Sequence, residues 1–309
     1  IFNKMDKTSY FIKDKALFGS YPTQEGIKEL EENGVRYFVN LTFDTERKIV
    51  PYTTQYNLIR YSIKDMSVPT DWCSFTKFIL HICNIIKSSD KEDKILVHCK
   101  GGHGRSGTVV ACIICHLFNT TPSEALDWTK ISHSKRLTMR DKWRKLGAPQ
   151  TPEQKKFVYK FFQPLNFYRA YMSGYTAGFS NFSNHKVKYN GVTFPTSEAA
   201  IQAYKNPFDL NYVESQVNAN SPIVSKNLGR KIKVRQDWLE VCIDIMYEIL
   251  LNKFNQNKYL IPILTNTGLR PIIQHTRGDG FWGDGLAEDG QNNLGKCLDK
   301  LRMYYYEQS

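Results

Sequence analysis

The sequence predicts two domains of unlike architecture: an α/β first half with helices flanking a central mixed or parallel sheet, and a mostly helical α+β second half. Three observations carry this. The chain has 309 residues, and at roughly 100–200 residues per domain that length calls for two. Up to about residue 162, short β-rich runs alternate with helical patterns, as a helix-flanked sheet requires. Beyond Pro164 the long patterns are helical and strand-like runs are few. The expected domains are therefore 1–164 and 165–309. A hydrophobic content of 41% and a charged content of 23% are those of a globular chain and exclude a disordered tail, a collagen-like fibre and a disulfide mini-protein. No apolar run approaches the roughly 18 uncharged residues a membrane span needs, so no membrane partner is expected.

In order along the first half, 16–18 reads as a strand and 24–33 as a helix ending at Gly34. The stretches 35–41 and 58–63 are β-rich, and 75–87 is apolar at helical spacing. Residues 95–98 form a buried strand, followed by a glycine-rich turn and the apolar run 108–118 (TVVACIICHLF), a buried helix. A last helix over 151–162 opens with Thr-Pro-Glu, an N-cap followed by Pro at the first helical position. The second half starts with an aromatic-rich stretch, 167–182, and continues with helical patterns over 197–205, 235–254 and 294–305.

The charge is uneven. There are 42 basic and 30 acidic residues, a net of +12; residues 1–164 hold 26 and 17 of these, a net of +9, and the remainder a net of +3. The excess in the first half favours an anionic ligand there, such as a phosphate ester, a nucleotide or a nucleic acid. The seven cysteines show no zinc-type spacing with histidine, and Cys112 and Cys115 read as core residues of the apolar helix. With no leader-like stretch, a reducing, cytoplasmic setting is expected. Residues 1–4, ahead of Met5, carry no functional expectation.

The run His98-Cys99-Lys100-Gly101-Gly102-His103-Gly104-Arg105-Ser106-Gly107 follows a strand and opens a helix. Backbone N–H groups of such a turn, with the helix N-terminus, converge on an anion. The same field favours a thiolate at Cys99, a nucleophile. Arg105 can fold back to give a two-pronged contact to phosphate oxygens, and Ser106 can donate a hydrogen bond to the departing sulfur. His98 reads as an orienter of the loop, and His103 as a loop residue facing substrate or solvent.

These residues resemble the CxxxxxR signature of the cysteine-dependent phosphatases, in the dual-specificity-like branch with HCxxGxGRSG. The resemblance runs over about 150 residues and includes FGSYP, the LT of VNLTFDTE, IKDMSVPT and APQTPEQKKFVYKF. It implies a phosphate cradle of Lys100, Gly101, Gly102, His103, Gly104 and Arg105, and a nucleophile at Cys99. It places the general acid at Asp65, with Asp71 in reserve, and puts a glutamine that positions the hydrolytic water at Gln154. The implied reaction passes through a cysteinyl phosphate and calls for no metal or cofactor, since Arg105 and the loop amides stabilise the charge.

In the second half FSNF (179–182), FPTSE (194–198), QAYK (202–205), GR (229–230), RQDW (235–238), DGFWGDG (279–285) and GQNNLG (290–295) set carboxylates among aromatic rings. That combination suits glycosidic chemistry, in which one carboxyl activates water or stabilises an oxocarbenium-like centre and another handles a proton. Helical spacing puts Glu198 and Lys205 on one face. The motifs, in this order, resemble the YbiA-like or NADAR family over about residues 175–303. Its members are N-glycosidases, associated with ribose–base cleavage in riboflavin-pathway intermediates and with removal of ADP-ribose from guanine. The resemblance implies catalytic Glu198, Trp238 and Asp279, with ligand contacts at Asn181, Lys205, Arg230, Trp282 and Asn292. Lys205 also suits a Schiff base with an opened ribose. Ala199 and Ala200 stand where relatives often carry bulkier aromatics.

The resulting expectation is a bifunctional hydrolase. One half acts on a phosphorylated protein or nucleotide, and the other on a ribosylated or ADP-ribosylated base. One phosphorylated ribosyl compound can serve both. The alternative is an RNA 5′-phosphatase with an accessory ADP-ribose-binding module, with nucleic acid as partner. Its basis is the segment 130–145, where seven basic residues, among them Arg136, Arg140 and Arg144, accompany a single acid, Asp141.

Overall fold

A strand covered by helices on both faces must be apolar on both, and Lys94–Cys99 (β5) is buried from Ile95 onward. It is the middle strand of a five-stranded sheet in the order β1-β2-β5-β3-β4, with β1 Thr8–Ile12, β2 Ala16–Ser20, β3 Val35–Asn40 and β4 Asn57–Arg60. The edge strand β1 runs antiparallel to β2; all other pairings are parallel. Gly19 pairs with His98, Ser20 with Cys99, and Asn40 with His98. The carboxyl ends of β2, β3 and β5 therefore share one edge of the sheet, where parallel α/β folds bind ligands. The computed structural model describes residues 4–168 and 174–308, and it divides into two compact units, Ile1–Gln163 and Pro164–Ser309. Part of the aromatic-rich stretch that opens the second half, residues 169–173, lies outside the described residues.

Helices α1 Gln24–Glu32, α2 Trp72–Ser88, α3 Arg105–Phe118, α4 Pro122–Ser134, α5 Asp141–Leu146 and α6 Pro152–Phe162 complete the first unit. The run Arg105–Cys115 of α3 is buried on every side. A helix apolar all round has to lie inside, and α3 packs against β5, α2, α4 and α6. Rings of Trp72 and Phe75 on α2 meet Phe157 and Phe161 on α6 at 5.1–6.1 Å. Thr151 caps α6 in a box with Gln154, ahead of Pro152. The basic segment 130–145 is not one solvated face. It spans the end of α4, a connection, and α5, and Arg136 within it is 2% exposed.

In the second unit, α10 Trp238–Gln256 is central. It packs against α7 Ser197–Ala203, α11 Leu260–Thr265 and α12 Asn293–Glu307; α8 Leu210–Val217 and α9 Pro222–Gly229 lie against α7. Strands are short: β6 Leu165–Phe167 pairs with β9 Ile272–Gln274, and β7 Val187–Tyr189 with β8 Val192–Phe194. The β7–β8 turn is Asn190-Gly191, both at positive φ (47° and 84°), the pair a two-residue hairpin prefers. Helix α7 stops at Ala203, so Lys205 lies beyond it rather than on its face. Pro207 disfavours helical geometry at Asn206, and Lys205 and Asn206 turn back onto the Gln202 and Ala203 carbonyls. No helix among the described residues is long and apolar enough to cross a membrane.

Lys253 on α10 is fully buried, and its ammonium donates to Ser180 O at 2.9 Å and Ser183 Oγ at 2.7 Å. Burial pushes its pKa down to about 7. The unfolded chain keeps that proton to roughly pH 10. Between the two values the unfolded state binds the extra proton, so stability rises with pH; below about 7 both states are charged and the contribution is flat. Lys253→Met is expected to remove a rising slope of unfolding free energy between about pH 7 and 10, measured by urea denaturation. An unchanged slope would assign the dependence to other groups.

Candidate active sites

The first site begins where β5 ends. Cys99 is 3% exposed, and its Sγ lies 3.5 Å from Oγ of Ser106, the second residue of α3. Residues 100–104 wrap between them. Gly102 has φ +75°, and a Cβ there would lie 2.4 Å from the Gly19 carbonyl carbon, so the loop is pressed onto the end of β2. Thr23, Asp71, Thr121 and Thr151 each cap a helix with a side chain, but α3 has no side-chain cap. Its first N–H groups are left facing the loop, a ready site for an oxyanion.

His98 lies below the loop. Its Nε2 is 2.7 Å from Tyr52 Oη. Burial, with a contribution from Arg60, pushes the imidazole down to about 3, and burial holds the Tyr52 phenol above its ordinary range. Both are neutral at physiological pH. His103, in the loop, is half-buried. It stacks on Trp143 at 4.8 Å and bonds His133 through Nδ1 at 2.7 Å.

Arg105, the first residue of α3, has a side chain 1% exposed. Nη1 donates to Glu46 Oε1 at 2.5 Å and to Ile63 O at 2.9 Å; Nη2 donates to Glu46 Oε2 at 3.0 Å and pairs with Asp65 Oδ1 at 3.0 Å. Burial opposes the charge on both partners. Burial is the largest single influence on each, but the Arg105–Glu46 hydrogen bonds together with the Phe43 N–H and neighbouring charges outweigh it, so the Glu46 carboxyl sits below its usual range and the guanidinium above. Glu46 escaped the sequence reasoning, although it ends the VNLTFDTE stretch on which the resemblance partly rested. Nothing in its spacing from Arg105, 59 residues on, announces the pair.

Asp65 is 57% exposed and accepts from Met66 N at 3.1 Å in a turn where Met66 has φ +61°. Asp71, the reserve acid, caps α2 through Ser74 N at 3.0 Å, so its carboxylate is committed to the helix. Gln154 is fully buried, and its amide is bonded to Thr151 N and to Ser67 O; it is not placed as an open water-holding group. Arg136 also departs from expectation. It donates to Gly102 O at 2.7 Å and Phe18 O at 3.1 Å, while Arg144 bonds the Ser134 and Arg136 carbonyls. Arg136 thus braces the loop and Arg144 the segment that carries Arg136; Arg140 alone of the three is exposed.

The second site is a cavity of about 190 Å³ that brings together Glu198, Trp238, Asp279, Asn181, Lys205 and Trp282. It adjoins a hollow of about 260 Å³ with Tyr168 and Ile223 on its walls, and Phe182, Lys226, Arg230, Gln274 and Asp279 line both. Glu198 stands in the first turn of α7, its N–H bonded to Asn181 O at 3.1 Å and its Oε1 accepting from Gln202 Nε2 at 2.8 Å. Burial raises its pKa, and Asp279 adds to the rise; Gln202, Lys226 and Lys205 oppose it. Burial lowers the pKa of Lys205, with Lys226 and Arg230 in the same direction and the two carboxylates against it. Asp279 accepts from the N–H groups of Phe281 and Trp282 at 3.2 and 2.9 Å, which orients the whole DGFW turn.

Asn292 does not line the cavity. Its amide accepts from Gln274 N at 2.9 Å and donates to Ile272 O at 2.8 Å, pinning β9 to the start of α12. Lys226 was missed; it stands on α9, four residues before Arg230, the residue that caps the end of that helix. Chemically the cavity offers two carboxylates, one carrying a raised pKa, beside aromatic rings and cations.

A family model for the polymorphic toxin system DSP-PTPase phosphatase matches residues 15–117, and one for the NADAR domain matches residues 166–304. Protein 197R of Invertebrate iridescent virus 6, assigned provisionally as a tyrosine phosphatase, is 30% identical over 294 residues, which cover 94% of this chain and 89% of that protein. Protein 067L of Invertebrate iridescent virus 3, with the same provisional assignment, is 39% identical over 160 residues, 51% of this chain and 66% of that one. The match thus spans just under two thirds of 067L. N-glycosidase YbiA of Escherichia coli (strain K12) is 36% identical over 140 residues, 45% of this chain and 86% of that one. A solved structure of E. coli YbiA matches at 34% identity with a TM-score of 0.44, covering 47% of this chain and 86% of that one.

Glu46→Gln removes the charge that clamps Arg105. A hydrogen bond to a charged group contributes about 1.5–3 kcal/mol, so kcat/KM on an aryl phosphate is expected to fall about 10- to 100-fold. A variant as active as the wild type would show that the clamp does not orient the guanidinium.

Proposed function

The chain belongs, through its first half, to the dual-specificity-like cysteine phosphatases and, through its second, to the NADAR family, and on that footing we propose the following division of labour within this bifunctional hydrolase. The first site hydrolyses a phosphomonoester of a protein or nucleotide. The Cys99 thiolate attacks phosphorus, the S–P bond forms as the ester P–O bond breaks, and Asp65 gives its proton to the leaving oxygen. Water then attacks phosphorus, Asp65 takes the water proton, and the S–P bond breaks to release inorganic phosphate. Ser106 donates to the departing sulfur, and Arg105 with the loop amides holds the equatorial oxygens. The single observation behind this is the meeting of Cys99, Ser106, Arg105 and Asp65 at the carboxyl edge of the sheet.

The second site cleaves an N-glycosidic bond, with an ADP-ribosylated base as substrate. Glu198 and Asp279 serve the ribosyl centre and the water; Trp238 and Trp282 hold the sugar and base by their ring faces. The adjoining hollow favours a substrate longer than a mononucleotide. Lys226 and Arg230 on the shared wall suit a diphosphate, and Tyr168, Phe182 and Ile223 suit a second planar ring. For the RNA 5′-phosphatase alternative, Arg136 and Arg144 are spent on the loop and its neighbours, while Lys130, Lys135, Arg140, Lys142 and Lys145 of the basic segment stay exposed.

Cys99→Ser is expected to abolish aryl phosphate hydrolysis by more than about a thousandfold and to leave release of guanine from ADP-ribosylated guanosine intact. Glu198→Gln is expected to do the converse, with a loss of about a hundredfold or more. Aryl phosphate turnover surviving Cys99→Ser would sink the nucleophile assignment. Wild-type protein that releases no base would sink the glycosidase substrate. RNA affinity that falls specifically with Arg140→Ala would favour the alternative.

A further inference from the structure

Gln154 stands at a junction that the two-step chemistry above does not use. It is 0% exposed, and it belongs to the first turn of α6. Its Oε1 accepts from Thr151 N at 3.1 Å and closes the cap of that helix; its Nε2 donates at 3.2 Å to Ser67 O, two residues past Asp65. One turn earlier, Gln150 Nε2 lies 3.3 Å from Met66 Sδ. On another side the amide packs on the phosphate loop: a Cβ at Gly104 would lie 2.8 Å from both Gln154 Nε2 and Oε1. A single side chain thus touches the helix start, the acid turn and the loop that cradles phosphate.

We infer that Gln154 is a positioning residue that latches the Asp65 turn closed over the phosphate loop, an inference that rests on the phosphatase reading. The turn needs a latch for a physical reason. Asp65 is 57% exposed and Met66 takes up a left-handed conformation costly for a side chain of its size. The ion pair of Asp65 with Arg105 Nη2 at 3.0 Å ties the turn to the guanidinium. A phosphoryl group claims that same guanidinium edge, so the pair opens at the moment the acid is needed. The contacts of Ser67 to Gln154 and of Met66 to Gln150 do not involve Arg105, and they hold the turn when the ester arrives.

A latch and a water-holder act on different steps. The latch serves the first, in which the S–P bond forms, the ester P–O bond breaks and the Asp65 proton goes to the leaving oxygen. A water-holder serves the second, in which the S–P bond breaks. Esters of acidic phenols hardly need the proton; esters of ordinary phenols do. The test uses the full chain with p-nitrophenyl phosphate and phenyl phosphate, followed in steady state and in the pre-steady-state burst. Two variants are compared. Gln154→Leu removes the amide. Gln154→Glu keeps an oxygen for Thr151 N, and hence the cap, but loses the donor toward Ser67 O.

Both variants are expected to lose about 10- to 100-fold in kcat/KM on phenyl phosphate and less than about threefold on p-nitrophenyl phosphate. Added to Asp65→Asn, Gln154→Glu is expected to cost almost nothing more, since both changes remove the same proton transfer. An equal loss on the two esters would overturn the latch in favour of packing against Gly104. A burst of p-nitrophenol followed by slowed turnover would overturn it in favour of a water-holding role. Wild-type protein without Cys99-dependent turnover of either ester would overturn the phosphatase reading itself, and the latch with it.

Discussion

A guanidinium withdrawn from water has to be met by anions and carbonyls, or its desolvation goes uncompensated at a cost of several kcal/mol. Arg105 is withdrawn almost completely, and the architecture around the first site follows from how it is met. Glu46 takes it in a two-pronged contact from the connection after β3, Ile63 offers a carbonyl from the connection after β4, and Asp65 closes from the turn beyond. Two segments distant in sequence from α3, one around Glu46 and one over residues 63–65, are thereby drawn to the carboxyl edge of the sheet. Because Arg105 is also the first residue of α3, the same contacts fix the helix N-terminus and the amides that face the loop.

The loop is held from beneath by a second buried guanidinium. Arg136 bonds the carbonyls of Gly102 and Phe18, and its charge lies over the Phe18 ring at 4.4 Å. Burial lowers its pKa to about 9, and the charge of Cys99 acts in the opposite direction. The first unit thus places two cations around one sulfur. One is clamped by Glu46 and Asp65 and the other shapes the loop. This arrangement explains how a basic half-chain with a net of +9 can be specific: part of the excess is inside, where geometry fixes what each charge touches.

The second unit uses a related economy with the signs mixed. Glu198 and Asp279 share a small cavity with Lys205, Lys226 and Arg230 nearby, and burial pushes Glu198 toward its neutral form and Lys205 toward its own. Lys253 on α10 is met by Ser180 O and Ser183 Oγ. It tethers the segment whose next residue, Asn181, accepts the Glu198 N–H. The acid is set on α7 by backbone, and the backbone is set by a buried amine on α10.

By itself the sequence determined the features that are local or periodic. The two-domain division follows from length and pattern, and the apolar stretch 108–118 could only be an interior helix. The Cys-to-Arg turn between a strand and a helix dictated an anion cradle because both ends of it are continuous in the chain. Thr151 ahead of Pro152 marked a helix start. What the tertiary structure alone decided is which partner each polar group meets across long gaps: Glu46 with Arg105, Arg136 with Gly102, Gln154 with Ser67, Lys226 with the cavity, and Asn292 with β9 instead of a ligand. Helix and strand periods report which face of an element is buried. They carry nothing about which distant donor stands opposite, and a buried donor takes whatever acceptor the packing delivers.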